Sequence, residues 1–144
     1  MGRRFLDVNI PMYAGGSDHP YKESCAWIMT EVAEGRLKVA TDTEAIQEVL
    51  YRYGAIKRWE VGVTMANALI ELVPEIYPVT LDDARLAVSL FHTYAKKGVT
   101  ARDVLHAAVM MNRKLDEILS TDAHFDLIKK ITRLDPEDLF QRRR

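Results

Sequence analysis

Short apolar runs alternate with amphipathic stretches along this chain, and that alternation constrains its fold more than any other feature. Arg4 to Val8, Leu37 to Ala40, Ile76 to Val79 and Glu117 to Leu119 are each too short for a helix, and a fifth such run lies around Ile131 to Leu134. Most are bounded by breakers or caps. Between Arg58 and Val73, the residues Gly62, Met65, Ala66, Leu69, Leu72 and Val73 form one stripe. Glu60, Thr64, Asn67 and Glu71 form the opposite, polar face. That spacing predicts a helix. Asp82 to Ala95 repeats the pattern, and Ala101 to Met111 is apolar on most sides, which predicts a helix buried deep in the fold. Strands that alternate with helices build βαβ units. The expectation is an α/β fold with a mostly parallel sheet of four to five strands, helices on both faces, and a site at the carboxyl ends of the strands.

Three helix starts share one local pattern. Thr41 is followed by Glu44, Thr80 by Asp83 and Thr100 by Asp103, each a threonine with an acid three residues later, the arrangement of a capping box. Gly15-Gly16-Ser17-Asp18-His19-Pro20 is the clearest break, with Asp18 expected to cap the next helix and Pro20 to lie in its first turn. There is no internal repeat, low-complexity segment or linker-like stretch. The 144 residues read as one domain spanning 1–144, and a hydrophobic fraction of 48% is enough to fill its core.

The 20 basic and 21 acidic residues give a net charge of −1, so no global signature of nucleic-acid binding is present, although a local basic patch is compatible with it. Arg142-Arg143-Arg144 reads as a solvated end. The one cysteine, Cys25, shares a helical face with Tyr21, Ile28, Met29 and Val32 and reads as a packed thiol. With no disulfide possible, no signal-peptide pattern and no apolar run near the ~18 residues of a membrane span, the expectation is a cytoplasmic protein without a membrane partner.

The stretch Phe5-Leu6-Asp7-Val8 poses the sharpest question, because a carboxylate inside an apolar strand is costly to bury without a partner. Three further acids fall near strand ends on the same expected edge: Glu48, two turns into the helix after the second strand; Asp103, in the first turn of the buried helix; and Asp122, directly after the strand ending in Leu119-Ser120. Each has an ordinary explanation. Asp103 suits a helix N-terminus, Glu48 can pair with Arg52 four residues on, and Asp122 can cap a short helix. Asp7 has none nearby. Clustered carboxylates raise one another's pKa, and a hard divalent cation offsets their repulsion, which would suit phosphodiester hydrolysis.

The ordered set "FLDVNIPMY", "TDTEAIQEVLYRY", "TARDVLHAAVM" and "ILSTDAHFD", closed by "ITRLDPEDL", resembles the PIN domain family, and in particular its small toxin-like ribonucleases of the VapC type. The resemblance covers nearly the whole chain. It implies a three-layer α/β/α sandwich and Mg²⁺- or Mn²⁺-dependent cleavage of RNA by an acidic metal centre of Asp7, Glu48, Asp103 and Asp122. It further implies a small antitoxin partner and a homodimer. Asn9 and Thr43 fall where family members carry a supporting polar residue. Thr121 directly precedes Asp122, a departure that gives Ser120 the usual polar role, and Asp126 is a peripheral ligand or a surface charge. Arg52 and Arg102 are the candidate phosphate contacts.

Other chemistries are less well supported. His106 reads as a packed or hydrogen-bonded helix residue, and His124 as a loop histidine beside Asp122; His19 and His92 complete the set, which lacks the ligand pattern of zinc. Gly-rich phosphate loops and a GxSxG elbow are absent. The alternative to a nuclease is a non-catalytic module of the same fold that binds RNA or protein.

Overall fold

The computed structural model describes residues 3–143. Its sheet has five strands, β1 (Arg4–Leu6), β2 (Val39–Asp42), β3 (Glu75–Tyr77), β4 (Glu117–Leu119) and β5 (Thr132–Leu134). Their order is β3-β2-β1-β4-β5 and every adjacent pair is parallel. Seven α-helices connect and cover them: α1 (Asn9–Gly15), α2 (Lys22–Ala33), α3 (Thr43–Ala55), α4 (Trp59–Leu72), α5 (Leu81–Tyr94), α6 (Ala101–Asn112) and α7 (Pro136–Gln141). The chain runs outward from β1 through β2 to β3, then returns to place β4 on the other side of β1. The gap between β1 and β4 is therefore the topological switch point, where open α/β sheets form their binding crevices.

Alternation along the strands separates two cores. Phe5, opposite Ala40 and Ile118, is buried with Ala107, Ala108, Met110 and Tyr94 against α5 and α6. Leu6, opposite Leu119, is buried with Ile28, Val32, Val49, Ala66 and Leu69 against α2, α3 and α4. Both faces of the sheet are covered, as a parallel sheet requires. The backbone ladder continues one residue past β1, because Asp7 N–H donates to the Leu119 carbonyl at 3.1 Å. Two residues on from Phe5, the Asp7 side chain thus turns toward α6.

Three local expectations are corrected. β1 does not run on to Val8. β1 stops at Leu6, and Pro11 lies in the first turn of α1, where its missing N–H has no intrahelical acceptor to lose. Asp18 does not cap α2. The N-cap is Tyr21, and His19 serves the turn instead: its Nδ1 accepts from Tyr21 N–H at 3.1 Å and its carbonyl from Lys22 N–H at 2.9 Å. Thr41 does not cap α3. It remains in β2 and donates its hydroxyl to the Leu6 carbonyl at 3.0 Å, while Asp42 caps through Ala45 N–H at 2.9 Å. The boxes at Thr80 and Thr100 both form.

Candidate active site

Four carboxylates reach the carboxyl edge of the sheet from four different elements. Asp7 follows β1 and is 6% exposed. Its Oδ2 accepts from the Ser120 hydroxyl at 2.7 Å and from the Asn9 side-chain amide at 3.2 Å. Asn9 also donates to Ser120 Oγ at 3.2 Å, and its Oδ1 accepts from Thr121 N–H at 3.3 Å. Ser120 Oγ accepts from Asp122 N–H at 2.9 Å. Asn9 and Ser120 thereby lace the end of β1 to the end of β4 and fix one oxygen of Asp7. Burial pushes the Asp7 carboxyl up to about 6, and the Glu48 and Asp103 charges push the same way, against the pull of His106 and the Ser120 hydrogen bond.

Glu48 is buried on α3. Its Oε2 lies 3.2 Å from Arg52 Nε and 3.5 Å from Arg102 Nη1, and its Oε1 lies 3.6 Å from His106 Nε2. Burial alone would raise its carboxyl. His106 and the two arginines outweigh it and hold Glu48 below the usual carboxylate range. The His106 ring is tilted against Phe5 at 5.2 Å, and its Nδ1 sits 2.7 Å from Oδ2 of the fully buried Asp42. Burial works against a charged imidazole, but Asp42, Glu48 and Asp7 surround it and raise it to about 10. Its Nδ1 is held by Asp42, and its Nε2 faces Glu48 Oε1 at 3.6 Å, beyond hydrogen-bond distance.

Asp103 and Asp122 form the other half. Asp103 is the acid of the α6 capping box, with Oδ2 accepting from Thr100 N–H at 3.1 Å. Burial and the nearby Asp122 raise its carboxyl, partly countered by that amide. Asp122 follows β4 and accepts from His124 N–H at 2.9 Å, with His124 Nδ1 3.1 Å from the same oxygen. The potential ligand atoms of Asp7, Glu48 and His106 lie within 4.8 Å of one another, as do those of Asp103, Asp122 and His124. The repulsion Asp7 feels from Asp103 links the two groups.

The remaining candidates separate. Thr43 Oγ1 accepts from Val79 N–H at 3.1 Å, which ties the start of α3 to the chain after β3. Asp126 forms a forked ion pair with Arg133 at 3.0 and 3.1 Å. Arg52 and Arg102 both stand beside Glu48, and Arg102 also lies over the Tyr51 ring. The sequence reading missed Asp42. Its signal was available only as a second acid in "TDTE", two residues before the glutamate assigned to the box. His106 has the packed, hydrogen-bonded place expected of it.

These residues suit a hard divalent cation. Glu48 Oε1 is buried with no hydrogen-bond partner among the described residues, and Asp7 and Glu48 offer carboxylate oxygens within 4.8 Å of one another, with His106 Nε2 3.6 Å from Oε1.

The chain matches the PIN domain family over residues 4–131. It belongs to that family. Among curated proteins, Ribonuclease VapC13 of Mycobacterium tuberculosis is 36% identical over 129 residues, which cover 90% of this chain and 97% of that one. Among solved structures, VapC20 of Mycobacterium tuberculosis, described as a sarcin–ricin loop cleaving toxin, superposes with a TM-score of 0.71 at 17% identity over 85% of this PIN domain and 92% of its own chain. A toxin–antitoxin complex from Klebsiella pneumoniae gives 0.65 at 14% identity, covering 92% and 97%. At these identities the two structures bear on the fold of this PIN domain: a parallel five-stranded sheet between helical layers.

Proposed function

We propose that this PIN domain is a metal-dependent endoribonuclease, the toxin of a toxin–antitoxin pair. The observation that carries the reading is the burial of Asp7 and Glu48 together at the switch point of the sheet, with Asp103 and Asp122 completing the edge. Similarity to proteins named VapC ribonucleases supports RNA as the substrate.

Asp7, Glu48, Asp103 and Asp122 would hold Mg²⁺ or Mn²⁺, which when bound supplies Lewis acidity toward water and phosphate oxygen. The chain's own residues prepare that site. Ser120 and Asn9 occupy Asp7 Oδ2, so its other oxygen is the one presented to the crevice. Asp42 orients the His106 ring, whose Nε2 lies 3.6 Å from Glu48 Oε1. Arg52, whose side chain is half exposed, stands at the rim and brings positive charge to an edge that would otherwise repel phosphates. Arg102 does the same from the start of α6.

Two partners belong to the same reading. An antitoxin would cover the apolar groove of about 650 Å³ between α1, α2 and α4, lined by Pro11, Ala14, Met29, Met65 and Leu72. A second copy of this chain would meet it along the exposed apolar stripe Leu81, Val88 and Phe91 of α5.

The test is Asp7→Asn. The purified variant should keep its circular-dichroism spectrum and lose Mn²⁺-dependent cleavage of RNA by at least about a hundredfold, the scale on which a site group acts in the transition state. Undiminished cleavage by the pure variant overturns the assignment.

A further inference from the structure

One cavity outside the acidic cluster is lined in part by Asn9 and Arg52, which bond to two of its acids. α1 carries Asn9 at its start and Tyr13 one turn later, then ends at Gly15. The chain folds back so closely at Gly16 that a Cβ there would come 2.9 Å from the Met12 carbonyl. The return places the His19 ring on Tyr13, with centroids 4.3 Å apart and planes tilted by 30°. Tyr21 lies against both rings, 5.9 Å and 13° from His19 and 5.6 Å from Tyr13. Because His19 Nδ1 accepts from Tyr21 N–H, the neutral ring carries its proton on Nε2. Between this aromatic group and Arg52 lies a cavity of about 260 Å³, lined by Asn9, Met12, Tyr13, Asp18, His19 and Arg52 among others.

Its lining has three kinds of surface. The aromatic faces and Met12 form an apolar floor. Asp18, which is exposed and has no hydrogen-bond or ion-pair partner among the described residues, supplies a carboxylate acceptor. Asn9 and Arg52 form the wall shared with the acidic site, since the first holds Asp7 and the second Glu48. The volume lies below the usual range for small-molecule sites and suits one planar ring system. Single-stranded RNA is recognised by unstacked bases laid on aromatic faces and read along their edges. A carboxylate accepts best from two adjacent N–H donors, and guanine alone among the four bases presents such a pair, at N1 and N2, on one edge.

We propose that the Tyr13–His19 cavity is a base pocket that holds a single guanine of the RNA strand next to the acidic centre, with Asp18 reading its N1–H and N2–H₂ edge. This rests on the ribonuclease reading and deepens it from RNA to a base-specific strand. Arg52 would carry the phosphate that joins the pocketed nucleotide to its neighbour at the acids.

The test is fluorescence anisotropy with labelled oligouridylates carrying one central guanosine or one central adenosine, at low salt in a chelator so that no cleavage intervenes. The full chain should bind the guanosine oligomer about tenfold more tightly. Asp18→Asn should abolish that preference while leaving adenosine-oligomer affinity within about twofold. His19→Ala should weaken both oligomers several-fold, through lost stacking. Equal affinity of the wild-type chain for the two oligomers, absence of binding to either, or a preference that survives Asp18→Asn overturns the pocket. Cleavage of the same oligomers with Mn²⁺ is assayed separately. Guanosine preference without cleavage would leave the pocket standing and sink the ribonuclease reading, whereas cleavage without preference would do the reverse.

Discussion

Burial, aided by the Glu48 and Asp103 charges, outweighs His106 and the Ser120 hydrogen bond and pushes the Asp7 carboxyl up to about 6. The sign of the consequence is fixed. A folded pKa above the ordinary 3.8 means that the folded state binds the proton more tightly than the unfolded chain does. The stability this lends is complete below about 3.8 and is lost as pH rises through about 6. Without divalent cations, urea unfolding of the wild type measured against Asp7→Asn should therefore show a gap that opens between pH 4 and pH 7, to about 3 kcal/mol in favour of the variant. Millimolar Mn²⁺ at pH 7 should stabilise the wild type and not the variant, through linkage. A gap independent of pH would show that Asp7 carries no such cost. This residue was legible from the sequence because its cost is local: an acid flanked by Leu6 and Val8 has nowhere inexpensive to go. The Asp42–His106 pair was not legible as a pair. Its members are separated by 64 positions and meet only because α6 packs across the end of β2.

Capping boxes show how one element-level motif takes two uses. Thr80 and Asp83 bond reciprocally at 2.9 and 3.2 Å, and Thr100 and Asp103 at 3.1 and 3.2 Å. The sequence reads them alike, and locally they are alike. The difference lies in the acid's second oxygen. Asp83 Oδ1 accepts from Asn112 Nδ2 at 2.8 Å and Arg113 Nη1 at 2.9 Å. Burial would raise that carboxyl, but Arg113, Asn112 and the Thr80 amide bring it down to about 2. Asp103 Oδ1 has no donor among the described residues and faces Asp122. Thr80→Ala and Thr100→Ala should each cost about 1 kcal/mol in unfolding free energy. Only Thr100→Ala should also weaken the Mn²⁺-induced rise in melting temperature, because the lost bond from Asp103 N–H to Thr100 Oγ loosens the helix start that carries an acid of the edge, whereas Asp83 lies away from it. Equal metal responses in the two variants would show that the α6 cap does not position its acid. The α1 helix escaped the sequence reading for a related reason. Pro11 is a breaker in most contexts and a good first-turn residue in one, and seven residues carry too little periodicity to decide between them.

At the scale of the whole molecule, the alternation of strand and helix made parallel pairing legible, but not the strand order. That order depends on which side of β1 the chain returns to, and it is what brings Asp7 beside Ser120 and Asp122. The same scale shows an apolar surface that the two cores do not use. α5 buries Ala87 and Tyr94 toward α6, and on its outer side Leu81, Val88 and Phe91 are 67, 72 and 43% exposed. Their spacing of seven and then three residues keeps them on one stripe. A stripe on a single helix is self-complementary when two copies meet about a twofold axis, the commonest symmetry of small assemblies. Sedimentation equilibrium should therefore return twice the 16.5 kDa chain mass. Val88→Glu places a charge at the centre of the stripe on a side chain that the isolated chain leaves in water. It should convert the dimer to monomer and, compared at concentrations low enough that the wild type is also dissociated, change unfolding free energy by no more than about 0.5 kcal/mol. A wild-type monomer at every concentration, or a Val88→Glu dimer as tight as the wild type, would move the contact away from α5. Because Asp7, Glu48, Asp103 and Asp122 all come from one chain, the monomeric variant should keep its Mn²⁺-induced stabilisation, which separates the role of this surface from that of the acidic edge.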